Sequence, residues 1–285
     1  MNTTAPEALG TCRARLGETP VWCARSQSLL WVDILAQRLL RYWPDEQRTD
    51  VHAMPRFTSA VLLTREPERF LTVSQGGIAL YHAGCRRFEK LCDYPADAIG
   101  TRPNEAAIAP DGALWFSTMD PAAQQPLGGW YRVSIERPVA DCLLRGLWVP
   151  NTLHWVNGHI WFADSLRQRF YRASFHDSRL HIHQHYPVVG TPDGSALTLD
   201  NQLINARWGD SSLVRYRLCD TEMHPLDAIP LPVRQPSSCT FGGPQLSDLY
   251  ITSARDGLTR PGALDGALLR ITTPFTGSPA REFRL

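Results

Sequence analysis

Short apolar runs rich in β-branched and aromatic side chains alternate through this chain with polar, glycine-containing turns. Six of the runs echo one another, at residues 29–33, 69–73, 113–117, 159–163, 202–206 and 248–252. Their first residues are 40, 44, 46, 43 and 46 positions apart, the spacing at which four-stranded propeller blades recur. A second echo follows each of them, as in Leu39-Leu40-Arg41-Tyr42, Trp130-Tyr131-Arg132-Val133 and Phe170-Tyr171-Arg172-Ala173. A shorter apolar segment precedes each pair, at 20–22, 60–63, 106–108, 152–155, 195–198 and 240–241, and a more polar one follows, clearest at 49–54, 87–92 and 180–186. Turn signals such as Gln75-Gly76-Gly77, Pro110-Asp111-Gly112 and Asn157-Gly158 separate them.

Helical periodicity is nearly absent; its best candidate, residues 96–99, is too short to matter. The pattern predicts an all-β fold, a six-bladed β-propeller of four-stranded antiparallel blades around a central channel. A β-sandwich or jelly roll also supplies short strands, but neither predicts a sixfold repeat of one two-strand signature. No Pro- or Gly-rich linker interrupts the repeats, so residues 1–285 read as a single domain. One blade is expected to complete itself from both ends of the chain, using residues 12–15 and 281–285.

Composition narrows the function. A hydrophobic fraction of 43% against 20% charged residues supports a sizeable core. With 29 basic and 28 acidic side chains the formal charge is +1, which argues against nucleic acid or an anionic membrane as partner. No run approaches the roughly 18 apolar residues of a membrane helix. Residues 1–7 show no leader, and seven cysteines without a CxxC pair read as reduced thiols, so a soluble, cytoplasmic protein is expected. No obligate protein partner is evident.

In a propeller, residues leading into the innermost strands meet at one mouth of the channel. Here those are Glu18, Ser59, Asn104, Asn151, Asp193 and Cys239, which lie 11, 10, 9, 8, 9 and 9 positions before the next echo strand. Four of the six carry carboxylate or amide oxygens. Two carboxylates facing each other across a narrow channel repel unless a cation lies between them. An oxygen-only donor set suits Ca²⁺, Mg²⁺ or Mn²⁺, with Zn²⁺ also able to bind. Three or four such ligands leave positions open for water and substrate, as in a catalytic centre. Turn chemistry competes with this reading, most seriously in Pro192-Asp193-Gly194, but it does not account for Glu18.

Several segments resemble the family of senescence marker protein-30, also called regucalcin, gluconolactonase and luciferin-regenerating enzyme. They include Leu16-Gly17-Glu18-Thr19-Pro20-Val21-Trp22, Arg102-Pro103-Asn104, Pro150-Asn151-Thr152-Leu153, Pro192-Asp193-Gly194 and Ala206-Arg207-Trp208-Gly209. The matches run in order from about residue 16 to 258. The resemblance implies a six-bladed propeller that binds one divalent cation on its axis, calcium first, and hydrolyses a sugar lactone. It places the metal ligands at Glu18, Asn151 and Asp193, and the substrate contacts at Arg102 and Asn104. The chain departs from the family where Glu105-Ala106 replaces Asp-Gly, where Ala109 stands near an expected Asp, and where Thr152 replaces Gly.

On this reading the metal polarises the lactone carbonyl, Asp193 is the general base, and Trp208 forms a wall of the sugar site. A related metal-dependent esterase or organophosphate hydrolase, or a non-catalytic calcium-binding or interaction propeller, is the alternative. His181, His183 and His185 fall on an outer strand and read as a solvated face, Trp31, Trp115 and Trp161 as blade packing, and Cys239 as a buried thiol.

Overall fold

The protein, described as a computed structural model over residues 3–285, is built entirely of strands and turns. Met1 and Asn2, the first two residues of the segment read for a leader, lie outside the described residues. Twenty-four strands form six four-stranded antiparallel sheets, the blades of a six-bladed β-propeller. The chain divides into two compact units, Met1–Ala53 with Asp193–Ala280, and Met54–Pro192 with Arg281–Leu285.

The first unit holds three blades. One is β2 (Gly17–Cys23), β3 (Ser28–Asp33), β4 (Arg38–Trp43) and β5 (Arg48–Ala53) in that order. A second is β18 (Thr191–Leu197), whose first two residues count with the other unit, followed by β19 (Gln202–Trp208), β20 (Ser212–Leu218) and β21 (Met223–Pro230). The third joins the two ends of the chain: β22 (Gln235–Gly242), β23 (Asp248–Ala254) and β24 (Leu268–Thr272) are completed by β1 (Glu7–Leu9). Its fourth strand is therefore Glu7–Leu9 and not the expected residues 12–15. The register Glu7↔Arg270, Ala8↔Leu269, Leu9↔Leu268 explains why. It puts Glu7 against the Arg270 guanidinium at 2.7 Å and buries Leu9 beside Trp22, Trp31 and Leu268.

The second unit holds β6 (Ala60–Leu63), β7 (Arg69–Ser74), β8 (Gly77–His82) and β9 (Arg87–Cys92), then β10 (Arg102–Ile108), β11 (Leu114–Met119), β12 (Gly128–Val133) and β13 (Asp141–Leu147), then β14 (Pro150–Val156), β15 (His159–Asp164), β16 (Arg169–His176) and β17 (Arg179–Pro187). Residues 281–285 add no strand to any blade, contrary to expectation. Instead Phe283 donates its N–H to Leu63 O at 2.8 Å and is buried among Leu62, Leu71, Ile108 and Phe116. Trp115 and Trp161, the echo-strand tryptophans of this unit, are fully buried, as blade packing requires.

Most innermost strands begin earlier than the apolar pattern indicates. β2, β10, β14 and β18 take in Glu18, Asn104, Asn151 and Asp193, which the sequence places ahead of the strand. Polar residues and prolines there read as breakers. An innermost strand is an edge of its blade, however, so Pro20, Pro103, Pro150, Pro192 and Pro236 are tolerated near its start.

Candidate active site

A break in register marks the site residues. Pairing is interrupted between Glu18 and Val21, between Pro103 and Ala106, between Asn151 and Leu153, and between Pro236 and Ser238. Such bulges insert an extra residue and re-aim a neighbouring side chain. Two of them place a β-branched residue in the left-handed region, Thr19 at φ 45° and Thr152 at φ 49°. That conformation is costly for threonine and characteristic of functional sites.

In the unit of residues 54–192, Arg102, Asn104 and Asn151 form one hydrogen-bonded run, each less than a tenth exposed. Arg102 Nη1 donates to Asn104 Oδ1 and to Pro103 O, both at 2.9 Å. Asn104 Nδ2 donates to Asn151 Oδ1 at 2.9 Å and to Pro150 O at 3.1 Å. Asn151 Nδ2 donates to Ser165 Oγ at 2.8 Å, and Ser165 donates its own proton to Pro192 O at 2.6 Å. Because the Ser165 hydroxyl is already donating, it must accept from Asn151, and this fixes which end of the Asn151 amide is oxygen. Asn151 Oδ1 receives a neutral N–H and keeps a lone pair. Asn104 Oδ1 faces a guanidinium instead, which suits substrate positioning better than cation binding.

Glu105, next to Asn104, carries a chemistry that its place in the sequence did not announce. Its carboxylate accepts the N–H of Ala106 at 2.9 Å, and its own N–H donates to Ser117 Oγ at 3.0 Å. Burial pushes its pKa up to about 7, opposed by the backbone N–H groups of Ala106 and Thr152.

In the other unit, Glu18 and Asp193 are also nearly buried. Each accepts its successor's backbone N–H, Thr19 N to Glu18 Oε2 and Gly194 N to Asp193 Oδ1, both at 3.0 Å. Asp193 lies within extended strand, so the Pro192-Asp193-Gly194 segment is not a turn. A Cβ on Gly194 would come within 2.5 Å of Ser238 Cβ, so close approach of the next blade explains that glycine. Trp208 ends β19 and is half-buried.

The strand ends are braced by two aspartates that sequence reasoning passed over, although Asp33 closes an echo run and Asp164 directly follows one. Asp33 accepts the N–H groups of Arg15 and Leu16, just before Glu18, at 2.9 and 3.1 Å. Asp164 accepts those of Trp148 and Val149, just before Asn151, at 3.0 and 3.2 Å.

Cys239, which shares the offset but reads as a buried thiol, is indeed buried in the core. β22 is eight residues long, so its position near the strand start is taken by Ser237, and Cys239 Sγ meets Ile204 O at 3.3 Å. His181, His183 and His185 lie on β17, the fourth strand of its blade. His181 stacks on His176 with ring centroids 3.6 Å apart, and His183 Nε2 contacts Ser174 Oγ at 2.8 Å. Among the described residues no three His, Cys, Asp or Glu side chains gather to hold a metal. The expected set has only two carboxylates, its third donor being an amide. Taken one by one, each is a hard oxygen donor of the kind that suits a Ca²⁺ or Mg²⁺ type cation, and the Asn151 amide is oriented as above.

The model of the SMP-30/gluconolactonase/LRE-like region matches residues 16–255. The chain belongs to this family. Among curated members it is 28% identical to the L-arabinolactonase of Azospirillum brasilense over 261 residues, covering 88% of this chain and 85% of that one. It is also 28% identical to a pentonolactonase of Haloferax volcanii, covering 95% and 94%. Among solved structures, the calcium-binding protein regucalcin from Agrobacterium tumefaciens superposes with a TM-score of 0.89 at 25% identity, covering 99% of this chain and 98% of that one. No helix of the described residues is long and apolar enough to cross a membrane. Thr152 stands where the resemblance implies glycine. The backbone there is left-handed, which glycine adopts freely and threonine only under strain.

Proposed function

We propose that this chain hydrolyses a sugar lactone to the aldonic acid, with one divalent cation, calcium before zinc, magnesium or manganese, held by Glu18, Asn151 and Asp193. The reading takes residues 1–285 as one domain. The observation that supports it most is the run Arg102–Asn104–Asn151, which ties the expected sugar-binding pair to an expected ligand. Relatives named for lactonase activity support the reaction class, and two of them are named for five-carbon lactones.

When bound, the cation supplies Lewis-acid polarisation of the lactone carbonyl. Asp193 accepts a proton from the attacking water. The water oxygen bonds to the carbonyl carbon, the ring C–O bond breaks, and the ring oxygen takes up a proton to become a hydroxyl of the acid. Arg102 donates to the sugar hydroxyls, Asn104 holds the guanidinium in place, and Trp208 lines the sugar ring.

The test is turnover of a panel of pentono- and hexonolactones with chelator and after add-back of Ca²⁺ or Zn²⁺. Hydrolysis is expected to vanish on chelation and return with the ion. Asp193→Ala is expected to abolish turnover and weaken metal binding together. Chelator-resistant turnover, or a fully active Asp193→Ala, overturns the assignment. Preference for an aryl ester or organophosphate would replace it with another hydrolase, and metal binding without turnover would leave a binding propeller.

A further inference from the structure

One hydrogen bond recurs at the entrance to all three expected ligands. The carbonyl of the residue before Asn151, Pro150 O, accepts from Ser117 Oγ at 3.0 Å. The carbonyl before Asp193, Pro192 O, accepts from Ser165 Oγ at 2.6 Å. The carbonyl before Glu18, Gly17 O, accepts from Ser237 Oγ at 2.5 Å. All three serines are buried, and each belongs to the blade preceding its acceptor in ring order.

The repeat does not hand this contact down at one position. Ser117 lies within a second strand, Ser165 just beyond one, and Ser237 in an innermost strand. Three different places in the blade supply the same donor to the same acceptor. Each carbonyl belongs to the peptide plane that leads into a ligand residue, so holding it fixes the direction in which that residue's side chain leaves the backbone. At Glu18 and Asn151 a register break follows immediately. The ligand there sits between a held peptide and a bulge.

We infer that Ser117, Ser165 and Ser237 are positioning residues that set the aim of Asn151, Asp193 and Glu18 toward a divalent cation. Ser165 serves twice, since it also accepts from Asn151 Nδ2 and so orients that amide. The inference rests on the proposed ligand set. Outer-shell partners of this kind tune affinity by roughly 10- to 100-fold in metal sites.

The experiment uses the full chain and Ca²⁺ alone as probe, with affinity read by calorimetry and unfolding midpoint read in chelator. The variants are S117A, S165A and S237A, with S74A as control. Ser74 is also buried and donates to a carbonyl, Gly77 O at 3.1 Å, but within its own hairpin and before no expected ligand. All four are expected to lose comparable stability. Only the first three are expected to lose Ca²⁺ affinity, by about tenfold, and to lower kcat at saturating metal with KM within about twofold. Glu18→Gln and Asp193→Asn separate the two readings. If those two bind Ca²⁺ like the parent, the ligand set itself is wrong. If they lose binding while the three serine variants track S74A, only the positioning role is overturned.

Discussion

Glu105 holds a carboxyl where burial favours the neutral form, and this ties stability to pH. Its folded-state pKa of about 7 exceeds the ordinary 4.5. The folded chain therefore keeps a proton that the unfolded chain releases. The stabilisation is complete below about pH 4.5 and is lost as pH rises through 7. A shift of that size corresponds to at most about 3 kcal/mol, and because part of the side chain reaches the surface about 1–2 kcal/mol is expected. Glu105→Gln in chelator is accordingly expected to gain stability relative to the parent between pH 4 and pH 8, measured by urea unfolding. A difference that stays flat with pH would show that Glu105 binds its proton equally well in the folded and unfolded chain. The sequence marks Glu105 as a departure from Asp-Gly, but it does not show that the carboxyl is buried against the Thr152 amide. That depends on how β10 packs beside β14. Ser117, Ser165 and Ser237 were missed for a related reason: a serine's value as a donor lies in which carbonyl stands opposite, and nothing local to it records that.

Strands show the same division between what is local and what is not. Second and third strands follow the apolar echoes closely, because both are buried inside a blade and read as near-continuous hydrophobic runs. Innermost strands do not, because bulges let pairing continue through Glu18-Thr19-Pro20 and Asn151-Thr152 where the pattern appears to stop. The same bulges explain why an offset count finds Glu18, Asn104, Asn151 and Asp193 yet selects Cys239 over Ser237. It assumes six equal strands, and β22 has eight residues with its break after Pro236. The bulge at Thr152 can be tested by its backbone. In an ordinary strand, glycine is less stable than alanine. At a φ of 49° the order should invert, with Thr152→Gly more stable than Thr152→Ala by about 1 kcal/mol in thermal or urea unfolding. Alanine proving the more stable would mean that the left-handed conformation is not held in solution.

Across the whole chain, the two ends are used differently, each within its own compact unit. The N-terminal end supplies an edge strand. Glu7–Leu9 adds three paired residues and buries Leu9 in an aromatic cluster. The C-terminal end supplies a side chain. Phe283 is fully buried in a core to which β6, β7, β8, β9, β10, β11 and β12 contribute, its backbone joined to Thr64 in a parallel bridge. Next to it, Arg284 packs its stem over Gly112, where a Cβ would overlap Arg284 Cγ. A tail that merely lay on the surface would lose little on truncation of its aromatic ring. A ring that fills a core leaves a cavity, because neighbours on separate blades, each fixed by its own ladder, cannot collapse into the space. Phe283→Ala is therefore expected to cost about 3–5 kcal/mol, the range for a buried phenylalanine, and more than Leu9→Ala at the partly covered edge strand. Urea midpoints at constant slope measure both. A loss below about 1 kcal/mol for Phe283→Ala would place the tail outside the core. Since Phe283 touches none of the expected ligands, the same variant should bind Ca²⁺ with the parent's affinity once folded, which separates a core role from a role in the site.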